Sequence, residues 1–258
     1  MLDSKRLIIT GIVNRDSIAF AVARQAQLHG AEIVLGAFPR DRALTDAAAA
    51  ALPHPAEILD LDVTDQSDLD RLVTTLERRW THVDGALHAV AFAPRDTLTG
   101  RLVDARPESI NLAFQTSAVS LVGLSDVVAR LAPDTGASVV ALDFDGSGAW
   151  PVYNWMGVCK SALEATGRYL ARDLGPGRVR VNLVAAGPLH TRAAGGIPGF
   201  EQLLAAWERQ APMRWDPNDP GPVADAVCFL LSDLARGITG EVLHVDGGYH
   251  AIAAPLRP

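Results

Sequence analysis

Tyr153 and Lys160 stand seven positions apart in the run Tyr153-Asn154-Trp155-Met156-Gly157-Val158-Cys159-Lys160. On an α-helix this spacing is nearly two turns, so both side chains share one face, about 10 Å apart along the axis. A nicotinamide riboside fits such a face, with its ribose hydroxyls on the ammonium and its reactive ring near the phenol. A phenol has an ordinary pKa of about 10, and a neighbouring ammonium favours its anion, which improves it as a proton donor. A Tyr and a Lys at this spacing also arise by chance, so the surrounding elements must be those of a nucleotide fold.

Short apolar runs alternate with helical patterns along the whole chain. Residues 7–10, 32–37, 57–61, 85–90, 138–142, 178–184 and 241–245 read as strands. Their apolar residues are often contiguous, as in Leu7-Ile8-Ile9 and Ile33-Val34-Leu35, which suits strands buried on both faces of a parallel sheet. Leu69, Leu72, Val73 and Leu76 mark one helix face. The helix after the first strand starts near Ser17 and stops at Gly30, a good left-handed terminator. The alternation implies right-handed crossovers and an α/β doubly wound, seven-stranded parallel sheet with helices on both faces.

Two segments break that rhythm. Residues 192–200 carry Gly195, Gly196 and Gly199, and residues 211–222 hold four prolines. A short helix over 201–210 sits between them, with Phe200, Leu203, Leu204 and Trp207 at helical spacing on one side. Residues 191–222 therefore read as a small substrate-binding lid, whose apolar face either closes over a substrate or packs on the body permanently.

Composition agrees with one globular domain over residues 1–258: 48% of the residues are hydrophobic and 21% charged. A net charge of −7 disfavours nucleic-acid and anionic-membrane partners. Cys159 and Cys228 are too few for a disulfide framework, there is no CxxC, and no metal site is expected. The N-terminal residues lack a signal-peptide pattern, and no run reaches the length of a membrane span, so a cytoplasmic protein is expected.

The first strand ends in Thr10-Gly11, and the next helix opens at Ser17-Ile18. A glycine there allows a sharp turn, and the helix N-terminus offers free amides and its positive dipole end to a pyrophosphate. The usual three-glycine fingerprint is absent, with Gly11 alone remaining. Asp62, after the third strand, either accepts from an adenine amino group or caps the next helix. Phe38, after the second strand, either stacks on adenine or is a half-buried aromatic. The segment Gly36-Ala37-Phe38-Pro39-Arg40 lacks the acidic residue that usually holds a ribose 2′-hydroxyl, and Arg40 suits a 2′-phosphate, so these residues leave NADH and NADPH open.

Gly11-Ile12, Ser17-Ile18-Ala19-Phe20, Leu61-Asp62-Val63, His88-Ala89-Val90-Ala91-Phe92-Ala93-Pro94, Asp143-Phe144-Asp145, Tyr153-x6-Lys160, Ala186-Gly187-Pro188 and Val245-Asp246-Gly247-Gly248 come in order. Over nearly its whole length the chain resembles the enoyl-acyl-carrier-protein reductases, a divergent branch of the short-chain dehydrogenase/reductase superfamily. Asp-Phe-Asp and Tyr-Asn-Trp-Met make it most similar to the mycobacterial type. The resemblance implies a Rossmann-type fold, a homotetramer, and NADH in preference to NADPH. By the same resemblance Gly11, Ile12, Ser17 and Ile18 cradle the pyrophosphate, and Phe38, Asp62 and Val63 hold adenine. Ala89, Val90 and Ala91 pass under the nicotinamide ribose, Lys160 binds its hydroxyls, and Ala186, Gly187, Pro188 and Thr191 line the nicotinamide and phosphates.

The implied substrate is an enoyl thioester on acyl carrier protein or coenzyme A, in contact with Phe92, Tyr153, Met156, Phe200, Leu203 and Trp207. Hydride addition at C3 leaves an enolate, whose oxygen Tyr153 stabilises by a hydrogen bond. Phe144 completes the catalytic set, at a position where many bacterial members carry a second Tyr. Ala89 stands for a serine, Ala91 for a glycine and Pro39 for an aspartate of the mycobacterial type. The lid is shorter than in that type, which implies weaker discrimination among long acyl chains.

An ordinary carbonyl reductase of the superfamily wants Tyr-x3-Lys and a serine thirteen residues before the tyrosine. Gly157 and Val140 occupy those positions. A dinucleotide-binding protein without catalysis would need neither Tyr153 nor Lys160. His88, His190 and Cys159 read as structural.

Overall fold

Apolar residues on both sides of each strand dictate a sheet with two covered faces, and the computed structural model, which describes residues 1–254, has one. The final four positions of the 1–258 span lie outside the described residues. Seven strands pair in parallel among the described residues: β1 (Arg6–Thr10), β2 (Glu32–Ala37), β3 (Glu57–Asp60), β4 (Gly85–His88), β5 (Ala137–Asp143), β6 (Val179–Ala186) and β7 (Val242–Val245). Their order is β3-β2-β1-β4-β5-β6-β7. This is the expected doubly wound, Rossmann-type fold.

The contiguous apolar runs are explained by alternation across the sheet. Leu7, Ile9, Ile33 and Leu35 enter one core, while Ile8 and Val34 enter the other. The first core is closed by α1 (Ile18–Leu28), α2 (Arg42–Ala49) and α9 (Gly221–Leu231). The second is closed by α3 (Gln66–Arg79), α5 (Ser120–Leu131) and α6 (Asn154–Leu174). Leu69, Leu72, Val73 and Leu76 are the buried face of α3, as their spacing requires. The other helices are α4 (Pro107–Phe114), the short α7 (Arg192–Gly195) and the lid helix α8 (Glu201–Gln210).

Boundaries shift where pairing decides. β6 runs two residues past 184 because Ala185 and Ala186 still pair with His244 and Val245. β4 stops at His88, so Ala89 and Val90 have left the sheet. α4 and α5 are joined by a π-turn at Gln115–Val119, forming one helical rod. By length and composition the rod, Pro107–Leu131, is apolar enough to cross a membrane, but half of its most apolar stretch is buried in the fold.

Strand order reverses between β1 and β4, and in such sheets ligands bind at the carboxyl ends of the strands beside that switch. Gly11, Ala89 and the β5 end lie along that edge.

Candidate active site

At the switch point Gly11 has φ +87°, and a Cβ built on it would lie 2.0 Å from the Ala89 carbonyl oxygen. Only glycine permits this approach. The Thr10 hydroxyl ties the same two strand ends, donating to Leu87 O at 2.8 Å and accepting from Ala89 N. Ser17 is the N-cap residue of α1, yet its hydroxyl accepts from Val13 N and Asn14 N instead of capping. The first-turn amides of α1 are therefore uncapped, beside buried Ile12 and half-buried Ile18. A cavity of about 300 Å³ opens next to this turn, lined by Arg15, Asp16, Leu189, His190, Pro217, Asn218 and Pro220.

On the adenine side, Phe38 is exposed, and the Arg40 guanidinium lies over its ring at 5.0 Å. Phe92, expected against the substrate, is exposed, with the Arg40 guanidinium 5.7 Å from the centre of its ring. Asp62 accepts from Thr64 N and Thr64 Oγ1, while Asp65 caps α3 through Ser67 N. The capping alternative for Asp62 thus gives way to a local turn. Val63 is buried beside it.

The chemical side departs from the expected geometry in one respect. Tyr153 does not lie within the helix that carries Lys160; it is the N-cap residue of α6, and its carbonyl accepts from Met156 N and Gly157 N. Two non-glycine residues with positive φ flank it, Val152 at 59° and Asn154 at 38°. Such strain in a β-branched residue persists only where the surroundings enforce it. Burial, with a smaller contribution from Asp143, pushes the phenol well above its ordinary range. That is opposite to the shift expected from Lys160, and it keeps Tyr153 a full O–H donor.

Lys160 is 6% exposed and donates to Leu142 O at 2.8 Å. Burial lowers its pKa, opposed by the charge of Asp143. Sequence spacing did not single out Asp143, whose two carboxylate oxygens are buried without a hydrogen-bond partner. Burial pushes Asp143 up to about 7, against the pull of Lys160. Cys159 is buried and its thiol is pushed up to about 11, as a packing residue would be.

Phe144 and Tyr153 belong to a third apolar cluster with Met156, Leu203 and Trp207, against which Phe200, Trp150 and Tyr249 also pack. The apolar face of the lid helix is thus packed on the body, with Leu203 and Trp207 buried. Gly187, at the end of β6, makes room for this: a Cβ there would lie 2.8 Å from both Trp207 Nε1 and Trp215 Cε2. Ala186 is buried, Pro188 O accepts from Trp215 Nε1, and Thr191 caps α7 through Ala194 N.

Two serines also escaped the sequence reading. Ser117 Oγ bonds both N and O of Phe92, and Ser120 Oγ accepts from His88 Nε2 while donating to Thr116 O. They brace the segment from Ala89 to Ala91; Ser117 lies within the π-turn and Ser120 directly follows it, a feature that periodicity does not reveal. The Ser120 bond leaves His88 Nδ1 as a buried acceptor without a partner. Burial and the nearby Lys160 charge push His88 down to about 3.

His88 is therefore neutral when folded but takes a proton near its ordinary pKa when unfolded, so it lowers stability as pH falls through this interval. Relative to the wild type, His88→Gln should gain roughly 3 kcal/mol between pH 7 and pH 4, given about 1.4 kcal/mol per pKa unit. Urea midpoints at the two pH values check this; parallel pH dependence in both proteins would mean that His88 is not held neutral.

Residues 11–250 match a family model described as enoyl-(acyl carrier protein) reductase. The chain is 39% identical to the enoyl-[acyl-carrier-protein] reductase [NADH] of Mycolicibacterium smegmatis, covering 96% of this chain and 97% of that protein. It is 35% identical to the enoyl-[acyl-carrier-protein] reductase [NADH] FabI of Synechocystis, over 96% of this chain and 97% of that one. With the enoyl-[acyl-carrier-protein] reductase [NADPH] FabI of Staphylococcus aureus it shares 36% identity, over 97% of this chain and 98% of the relative.

Proposed function

The chain belongs to the enoyl-(acyl carrier protein) reductase family, and from that premise we propose that it reduces the 2,3-trans double bond of an enoyl thioester in fatty acid biosynthesis, with NADH as the preferred cofactor. Residues 1–258 act as one domain, with 191–222 as its lid. The observation that carries the reading is the buried Lys160 ammonium, on the helix that Tyr153 opens at the carboxyl edge of the sheet. The test is the fall in reduced-nicotinamide absorbance on adding crotonyl or longer enoyl thioesters, with a ketoacyl thioester as control. Turnover of the ketoacyl thioester alone would overturn the reading.

The residues present fit a nicotinamide dinucleotide. Gly11, Ile12, Ser17 and Ile18 would hold its pyrophosphate on uncapped amides, and Phe38, Asp62 and Val63 its adenine. Ala89, Val90 and Ala91 would support the nicotinamide ribose, with Ala186, Gly187, Pro188 and Thr191 opposite. The dinucleotide, when bound, supplies the hydride. Lys160 keeps two N–H donors beyond the one given to Leu142 O, enough for a ribose diol. Tyr153 donates its O–H to the thioester oxygen, whose negative charge grows in the transition state. Phe144, packed 4.9 Å from the Tyr153 ring, keeps water from the phenol's flank. Phe92, Met156, Phe200, Leu203 and Trp207 contact the acyl group.

NADH preference carries its own test. Arg40 is mostly exposed and pairs loosely with Asp41 at 3.7 Å, so it is free to meet a 2′-phosphate. We expect a higher kcat/KM with NADH than with NADPH, and Arg40→Ala should widen the gap. A clear NADPH preference that Arg40→Ala abolishes would assign Arg40 to phosphate binding instead.

The carrier of the substrate is acyl carrier protein or coenzyme A. A homotetramer is consistent with apolar side chains left exposed on helices α4 to α6, among them Leu112, Phe114, Val122, Val158 and Tyr169. A cytoplasmic location suits this chemistry.

A further inference from the structure

Four aromatic rings, Phe144, Trp150, Trp207 and Tyr249, form a connected cluster that reaches Tyr153 through Phe144. Phe144 lies 4.9 Å from Tyr153, 5.3 Å edge-on to Trp150 and 5.6 Å from Trp207. Trp150 is 5.3 Å from Trp207 and 5.6 Å from Tyr249. Trp207 and Tyr249 stack at 3.8 Å with 10° between their planes. The pairs at 4.9–5.6 Å fall within the range of roughly 4.5–7 Å for favourable ring contacts, and the Trp207–Tyr249 stack is closer still.

These rings are also fixed in orientation. Trp207 Nε1 donates to Asp246 O at 3.0 Å, and Trp150 Nε1 donates to Asp145 O at 2.5 Å. The lid and the segment bearing Tyr249 are tied by Met213 N to Gly247 O at 3.0 Å and by Gln210 Nε2 to Ile252 O at 2.7 Å. The result is a wall with its indoles pinned to backbone, in which Trp207 is 3% exposed and Phe144 8%.

Resting on the enoyl reductase reading, we propose that Trp150 and Tyr249, braced by Trp207, form an aromatic stop beside Tyr153 that restricts the enzyme to short enoyl chains of crotonyl size. Phe144 links the two, 4.9 Å from the Tyr153 ring and 5.3 Å from Trp150. An acyl chain that runs along Phe144, with its thioester oxygen on the Tyr153 phenol, therefore meets these rings within a few carbons. A longer chain must part a stacked pair and displace indoles held by hydrogen bonds. The stop runs against what the short lid alone implies, weak discrimination among long chains, because it removes the space into which extra methylenes would go.

The test is kcat/KM for crotonyl, octenoyl and dodecenoyl thioesters with the wild type, Tyr249→Ala, Tyr249→Phe and Trp150→Ala. An open apolar crevice would favour each added methylene by up to about fourfold, from roughly 0.8 kcal/mol per buried CH₂. The stop predicts the reverse in the wild type, a fall of about tenfold or more from crotonyl to dodecenoyl, since displacing packed rings costs more than the chain gains. Tyr249→Ala and Trp150→Ala should each erase most of that fall, and Tyr249→Phe, which keeps the ring, should retain it. Circular dichroism identifies a variant that fails to fold, and the other alanine variant then decides. Quenching of tryptophan fluorescence by saturated thioesters of the same lengths gives a second reading that needs no turnover. A wild type that prefers dodecenoyl, or chain-length profiles unmoved in both alanine variants, overturns the proposal. Absence of NADH oxidation with every enoyl thioester would instead strike the reductase reading, and the fluorescence series would still report on the stop.

Discussion

Tyr153→Phe should lower kcat by about 10²–10³-fold, the loss expected when one oxyanion donor worth about 2.7–4 kcal/mol is removed. The dissociation constant for NADH should change little, because in the proposed reaction the phenol acts as charge develops on the thioester oxygen and not on the ribose. Burial strengthens this expectation: the phenol is held protonated, so its O–H is available throughout the neutral range. The fold should survive, since Phe keeps the ring that packs against Phe144. Steady-state kinetics with crotonyl thioester, beside a fluorescence titration of NADH, separate the two effects. Turnover equal to that of the wild type would take Tyr153 out of the mechanism.

Lys160→Ala should act on the cofactor first. Hydrogen bonds from a charged donor contribute about 1.5–3 kcal/mol, so the NADH dissociation constant should rise by roughly 10- to 100-fold. The variant also bears on Asp143. In the wild type, burial lifts this carboxyl to about 7 while Lys160 pulls it down. Without the ammonium it moves higher and takes up a proton at neutral pH, which spares the fold a bare buried charge. The sign for stability follows. Asp143 has a raised pKa when folded, so its favourable contribution is complete below its ordinary pKa and is lost as pH rises through about 7. Asp143→Asn should therefore flatten that loss, opposite in sense to the effect of His88→Gln in the same interval. Unaltered NADH affinity in Lys160→Ala would contradict the ribose assignment.

How legible these features were in the sequence depended on whether they are local. The strands could be read because parallel strands buried on both faces leave contiguous apolar runs, and the Ile33-Val34-Leu35 run shows why, with alternate residues entering opposite cores. The lid helix at Glu201–Gln210 was legible from the spacing of Phe200, Leu203, Leu204 and Trp207. Tyr153 looked helical, yet the backbone reverses around it at Val152 and Asn154, residue types that give no warning of positive φ. Trp150, Trp207 and Tyr249 share no spacing, since only the folded chain brings them together. Asp143 was visible as part of a motif, but its unpartnered carboxylate is a property of the burial around it.

The π-turn at Gln115–Val119 has a consequence for how this chain can change in length. A π-turn holds one residue more than the α-helix it interrupts. Deleting one position there would restore regular winding, and because the turn had absorbed the extra residue, the helices on either side would keep their relative orientation. The change would fall on the turn itself: Ser117, which bonds N and O of Phe92 from within it, would lose that place, while the sheet stayed intact. The lid is the opposite case, an excursion between β6 and α9 that can shorten or lengthen without disturbing the strands. Insertions and deletions among descendants of this sequence should thus collect in the lid and be purged from the rod, even though the rod is a helix and the lid is partly loop.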